Sequence, residues 1–200
     1  MSSHKQRLAI FDFDGTLINA DSFPLFLKHA TGILKYPILC VYFFIIFLSY
    51  KLKLFPAKKA KEMMLRCAIK GKTTQELDQL CQSFKAILNE KTNPQMMDKL
   101  LLHKTNGDKT IIVSASPTNW IKPWAEENGI DMVIGASFEI IENKATGKLD
   151  GENCRGKAKV RYLKKQLPRF KEEYETFGYG DSIVGDKPLL DELDHGWIIK

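Results

Sequence analysis

Cysteine is scarce in this chain. There are four in 200 residues, Cys40, Cys67, Cys81 and Cys154, and no two form a CxxC pair. That spacing argues against structural zinc, whose ligands come in close pairs. A chain of this size is also not a small, Cys-dense scaffold, so no disulfide framework is implied and a reducing compartment is expected. The opening MSSHKQRLAI has no long apolar stretch of the signal-peptide kind. A cytoplasmic location is therefore expected, and any membrane contact has to arise inside the chain. Internal repeats and low-complexity segments are missing too.

Most of the chain also lacks a strong charge imbalance. The formal net charge is +6, but Lys51 to Lys72 alone holds eight basic residues against one acid, Glu62. That stretch carries +7 and the remainder −1. The basic character is local and calls for a local anionic partner; nucleic acid is not expected. A hydrophobic fraction of 44% is enough for a sizeable buried core, and 27% charged residues is ordinary for a soluble protein.

Apolar runs closing on small or acidic residues mark the strands. Arg7 to Phe13 (RLAIFDF) predicts a buried strand running into Asp14-Gly15-Thr16. Lys109 to Val113, Met132 to Gly135, Glu175 to Tyr179 and a short Trp197 to Ile199 predict the others. Phe138 to Leu149 predicts a hairpin around Asn143-Lys144-Ala145-Thr146-Gly147, and Lys157 to Leu167 a helix. Strands alternating with helices predict a doubly wound α/β core with a parallel sheet. Between the first two strands the spacing is helical: Leu25 to Ala30, Ala57 to Ile69, Thr74 to Asn89 and Pro94 to His103. An all-helical insertion over residues 19–107, inside a core made of 1–18 and 108–200, is the expected organisation.

Within the insertion Tyr36 to Tyr50 (YPILCVYFFIIFLSY) has fifteen residues and no charge. One reading buries this run as a helix of the insertion. The other lays it in a membrane interface, with the following lysines on anionic lipid. A spanning helix needs about 20 apolar residues and is the least favoured of the three.

Four places carry candidate chemistry. Asp12 and Asp14 leave the first strand two residues apart, so they can address one centre: a carboxylate nucleophile sharing a hard cation, and an acid/base. Gly15 lets the backbone turn tightly. Ser114, following Ile111-Ile112-Val113, offers a hydroxyl and adjoining amides to phosphate oxygens, or simply caps a helix. One of the basic residues in Arg155-Gly156-Lys157-Ala158-Lys159 can neutralise a phosphoryl group, or merely start a helix in solvent. Asp181 and Asp186, in GDSIVGD, suit an oxygen-only magnesium site, or are ordinary loop acids.

Taken in order, DFDGT, IIVS, a lysine and GDSIVGD resemble the four motifs of the haloacid dehalogenase superfamily. The stretches NCRGKAKVRYL and GYGDSIVGDKPLLDEL, with the helical insertion as a cap, resemble the subfamily that includes phosphoserine phosphatases. DSFPLFLKHATG, the apolar segment and Trp197 resemble the phosphatidylglycerophosphatase C branch. The resemblance implies a Rossmann-like core and a Mg²⁺-dependent phosphomonoester hydrolase. In it Asp12 is the nucleophile that carries an aspartyl-phosphate, and Asp14 is the general acid/base. Ser114 and Ala115 hold the phosphate, and Lys159 is the motif lysine, with Lys157 the alternative. Asp12, Asp14 and Asp181 hold the metal, supported by Asp186, whose spacing from Asp181 is one residue longer than in many members. The substrate is expected to be a lipid phosphate such as phosphatidylglycerophosphate at an anionic membrane, or a small soluble ester such as phosphoserine. From a different class, the chain can be read as a catalytically silent membrane-binding protein; the four intact motifs speak against that.

Overall fold

The structure is a computed structural model and describes residues 5–199. A five-stranded parallel sheet in the order β3-β2-β1-β6-β7 forms its centre. Its strands are β1 (Gln6–Phe11), β2 (Lys109–Val113), β3 (Met132–Ile134), β6 (Tyr174–Gly180) and β7 (His195–Ile198). β1 ends two residues short of the expected Phe13. Asp12 still donates its amide to the Tyr179 carbonyl, but Thr16 and Ile18 both donate to the carbonyl of Phe13, which turns the chain out of the sheet. β1 and β2 are nearly pure apolar runs because both their faces are covered.

The expected hairpin is present as β4 (Ser137–Ile141) and β5 (Lys144–Asp150), with its turn at the start of the expected segment. Glu142 and Asn143, both at positive φ, form a two-residue turn, and Gly147 lies inside β5. β5 packs against α2 (Ala57–Ile69), and just past that helix the Gly71 amide donates to the Ala145 carbonyl while the Ala145 amide donates to the Lys72 carbonyl.

The residues between β1 and β2 form α1 (Ser22–Lys51), α2, α3 (Thr74–Asn89) and α4 (Pro94–Thr105). α3 starts in a Thr73–Glu76 capping box and buries Leu77, Cys81, Phe84 and Leu88 on one face. α4 packs on β2 and inserts His103 among Phe11, Phe177 and Tyr179. α5 (Thr118–Glu127) joins α3 and α1 through Trp120, which stacks on Phe26 at 4.3 Å and donates its indole N–H to Ser22. α6 (Lys157–Gln166), α7 (Phe170–Glu173) and α8 (Lys187–Leu190) complete the chain.

α1 departs most from expectation. The apolar run is part of a 30-residue helix, long and apolar enough to cross a bilayer by length and composition. The helix breaks at Gly32, whose φ of 77° only glycine adopts readily. Beyond that break the reading that buries the run fails. Tyr36, Leu39, Phe43 and Ile46 pack inward, at helical spacing. Leu34, Ile38, Val41, Ile45 and Leu48, spaced i, i+4, i+7, i+11 and i+14, make a second apolar stripe, exposed from 84% at Leu34 to 48% at Leu48. With apolar residues on every side, this helix has a partner on only one of its two faces.

Candidate active site

Parallel register brings the ends of β2, β1 and β6 level. Phe11 pairs with Ile112 on one side and Tyr179 on the other. Asp12, Ser114 and Asp181 each follow directly on a strand end, at the carboxyl edge where open α/β sheets bind ligands. A cavity of about 540 Å³ opens there. Asp12, Asp14, Gly15, Ser114, Ala115, Lys159, Asp181 and Asp186 all line it. Lys157 does not; it is exposed on the opposite side of the first turn of α6.

Lys159 is almost wholly buried, and its Nζ donates to Asp12 Oδ1 at 2.5 Å and to Asp186 Oδ1 at 2.6 Å. Burial works against its charge, but the two carboxylates prevail and hold its pKa above the usual lysine value. Burial likewise pushes the Asp12 carboxyl up, to about 7, with Asp186 adding to the rise and Lys159 opposing it. Asp186 is fixed by its own loop: its Oδ2 accepts from the Ser182 amide at 2.9 Å and its amide donates to the Ser182 carbonyl at 2.7 Å. The longer Asp181–Asp186 spacing is absorbed by this closed turn.

Asp14 is held quite differently. Its Oδ1 accepts from the Ser22 amide at 2.8 Å and its Oδ2 from Ser116 Oγ at 2.5 Å. Ser116 Oγ in turn accepts from the Ser22 hydroxyl, and the Ser116 amide donates to Ser114 Oγ at 3.0 Å. Burial and the charge of Asp21 raise the Asp14 pKa, which suits a group that gives and takes a proton. The sequence did not single out Ser22 or Ser116, because Ser116 lies 102 residues from the carboxylate it serves.

The carboxylates that converge are Asp12, Asp181 and Asp186, each with an oxygen within 4.8 Å of the others. The sequence reading grouped Asp14 with Asp12 and Asp181 as metal ligands. The geometry instead puts Asp186 in the cluster and turns the Asp14 carboxylate toward Ser22 and Ser116. An oxygen-only donor set fits Mg²⁺. Gly15 is what admits Asp181 to the cluster: a Cβ there would fall 2.3 Å from Asp181 Oδ2, so only glycine, at φ 75°, lets Asp181 approach the turn. A cation among these acids would also lower the raised Asp12 and Asp181 pKa values.

Two further cations reach the cavity besides Lys159. Lys61, on α2, donates to the Ala115 carbonyl at 2.9 Å and to Asn153 Oδ1 at 3.2 Å, and its Nζ lies 5.6 Å from the centre of the Phe23 ring. Burial lowers its pKa, while Asp14 and Asp21 oppose the fall. Arg155, from the loop before α6, lines the same wall. The sequence reading counted Lys61 within the basic stretch Lys51–Lys72 and gave it no role of its own; it points into the cavity.

Known proteins share this fold. A profile described as haloacid dehalogenase-like hydrolase matches residues 9–191. Protein CicA of Caulobacter vibrioides is 32% identical over 196 residues, spanning 94% of this chain and 83% of that protein. Among solved structures, a protein of unknown function from Bordetella pertussis superposes with a TM-score of 0.81 at 23% identity, over 94% of this chain and 87% of the other. A phosphoserine phosphatase carrying an analogue of its phospho-aspartyl intermediate gives 0.65 at 16% identity, over 94% and 84%. The core is thus the Rossmann-like α/β fold of this group.

Proposed function

Because the chain belongs to the haloacid dehalogenase-like hydrolase family, we propose that it is a Mg²⁺-dependent phosphatase of phosphomonoesters that carries the phosphoryl group on Asp12. The observation behind this is the single cavity in which Lys159 joins Asp12 to Asp186 while Asp14 sits two residues from Asp12 in its own hydroxyl cradle.

In the proposed reaction an Asp12 oxygen attacks phosphorus, forming an acyl-phosphate as the phosphorus–alkoxide bond breaks. Asp14 gives its proton to the departing oxygen. Asp14 then takes a proton from water, whose oxygen attacks the same phosphorus and releases orthophosphate and free Asp12. Lys159 offsets the repulsion between the anionic nucleophile and the anionic ester. Ser114 and Ala115 line the same cavity, and in this reading the Ser114 hydroxyl and the Ala115 amide hold phosphoryl oxygens. Asp12, Asp181 and Asp186, with Asp14 two residues from the nucleophile, would hold Mg²⁺, which would supply further charge neutralisation at the phosphoryl group. Purified protein should release phosphate from p-nitrophenyl phosphate and glycerol 3-phosphate in Mg²⁺. Acid quench should trap the phosphoryl group on Asp12; trapping on another residue, or no turnover at all, would sink the proposal.

The outer stripe of α1 favours a lipid phosphate over a soluble one such as phosphoserine. Leu34, Ile38, Val41, Ile45 and Leu48 suit insertion into an interface, and Lys35, Lys51, Lys53, Lys58 and Lys59 suit anionic head groups. The helix lies in the interface rather than across the bilayer. Lys61, ten residues past Lys51, reaches the cavity, so a crossing would drag the lysines between them through hydrocarbon. Phosphatidylglycerophosphate is the substrate this arrangement suits, at the cytoplasmic face of a membrane. Sedimentation with anionic vesicles across a salt series checks the surface: binding should weaken as salt rises, and protein left in the supernatant at low salt would leave the soluble-ester reading in its place.

A further inference from the structure

Lys61 and Arg155 face the cavity without an assigned task. Among the described residues neither forms a salt bridge. Lys61 is within electrostatic reach of Arg155, so two like charges are held at one wall. The contacts of the Lys61 Nζ are with a carbonyl and an amide oxygen, which orient it without cancelling its charge. Such an arrangement costs free energy until an anion fills it. The inner charges are already engaged: Lys159 serves Asp12 and Asp186, and the acid cluster suits a cation. In the outer part Asp21 faces the two cations; Asp14 also attracts Lys61, but it carries its proton at the start of the proposed reaction. That leaves one positive charge on the side of Asp14, where the leaving alcohol sits in the proposed reaction.

We infer that Lys61 and Arg155 form a specificity subsite for a second, singly charged anionic group on the alcohol part of the substrate, a carboxylate or a phosphodiester. This rests on the phosphatase reading above, and it narrows the substrates to phosphomonoesters with another anion a few bonds from the ester oxygen. Phe23, beneath the Lys61 ammonium, supplies the apolar floor.

Matched substrates test it. 3-Phosphoglycerate and glycerol 3-phosphate differ by a carboxylate in place of CH₂OH. Phosphatidylglycerophosphate and phosphatidate, in mixed micelles, differ by an internal phosphodiester. The subsite predicts a preference in kcat/KM of roughly 10- to 100-fold for the doubly anionic member of at least one pair, the range of a charge-assisted hydrogen bond. The pair that shows it identifies the anion. Lys61→Gln should collapse that preference to about threefold or less, mainly through KM, and Lys61→Arg should restore it. Arg155→Gln, at an exposed loop position, should reduce it independently. Turnover of glycerol 3-phosphate or phosphatidate with no preference in either pair would overturn the subsite and leave the phosphatase reading standing. So would a Lys61→Gln enzyme that slows both members equally, since that is the mark of a contact to the transferred phosphate alone. Failure to hydrolyse any of the four would overturn both.

Discussion

Asp186 Oδ1 lies 2.6 Å from the Lys159 Nζ, so the buried lysine keeps one carboxylate even when the other, on Asp12, is altered. Asp12→Asn should abolish turnover while the fold survives, with a melting temperature close to that of the parent. Lys159→Met should be worse for the fold, because it leaves two carboxylates facing each other without a cation. Breaking a buried pair this way costs about 3–5 kcal/mol, or roughly 10 °C in a chain of this length. Calorimetry of the two variants checks the order; equal melting temperatures would refute it.

Gly15→Ala tests the approach of Asp181. The added Cβ would meet Asp181 Oδ2 at 2.3 Å, from a backbone at φ 75°. It should lower turnover at least 100-fold and weaken the apparent affinity for Mg²⁺, as a 1 Å misplacement in a catalytic site does. A Gly15→Ala enzyme with parental Mg²⁺ dependence would show that Asp181 takes no part in holding the ion.

Removing the metal should stop the reaction reversibly. Excess chelator is expected to cut the rate more than 100-fold, and added Mg²⁺ to restore it. Ca²⁺ should inhibit, because it accepts more ligands at longer distances and can take both oxygens of Asp12, leaving none free to attack. Full activity in chelator, or activation by Ca²⁺, would count against the Asp12–Asp181–Asp186 cluster as the metal site.

Asp194 gives a pH dependence far from the site. Its Oδ2 accepts from the Thr176 amide at 2.8 Å and hydroxyl at 2.9 Å, tying the start of β6 to the approach to β7. The Thr176 amide bond holds its pKa below the usual carboxylate value. A lowered folded pKa stabilises above the unfolded value of about 3.9, and that contribution is lost as pH falls through the folded value. Asp194→Ala should therefore cost about 1 kcal/mol at pH 7, at the low end for an exposed group. In urea titrations the gap between parent and variant should close toward pH 2; a constant gap would exclude the linkage.

How much of this was readable in the sequence follows from the range of each interaction. Asp12, Ser114 and Asp181 were legible because each ends an apolar strand, a local signal that parallel register converts into one site. Lys61 was not, because its spacing fits an ordinary helix and its partners, Ala115 and Asn153, are 54 and 92 residues away. The hairpin was legible but the turn segment was drawn too long: the chain reverses at Glu142 and Asn143, while Gly147, although also at positive φ, lies within β5. On α1 the run from Tyr36 to Leu48 is apolar on all sides, so periodicity cannot say which half is covered; only packing against α2 decides.

That uncovered half is open to a direct test. Val41 and Ile45 lie one turn apart at the centre of the outer stripe, and both are more than half exposed. They touch no part of the cavity, so changing them to aspartate should leave hydrolysis of a soluble ester intact. Fully burying such a side chain contributes about 1.5–3 kcal/mol. An interface covers only part of it, so about 1 kcal/mol each is expected, and their combined loss weakens vesicle binding roughly 30-fold. The added carboxylates also repel anionic lipid and deepen the effect. Leu101 and Leu102 on α4 serve as the control, being exposed leucines away from the stripe. A Leu101→Asp/Leu102→Asp protein carries the same change in charge, so it should keep binding close to the parent if the α1 stripe is the docking surface. Equal losses in the two double variants would mean that net charge alone governs attachment, and the stripe would then need another partner.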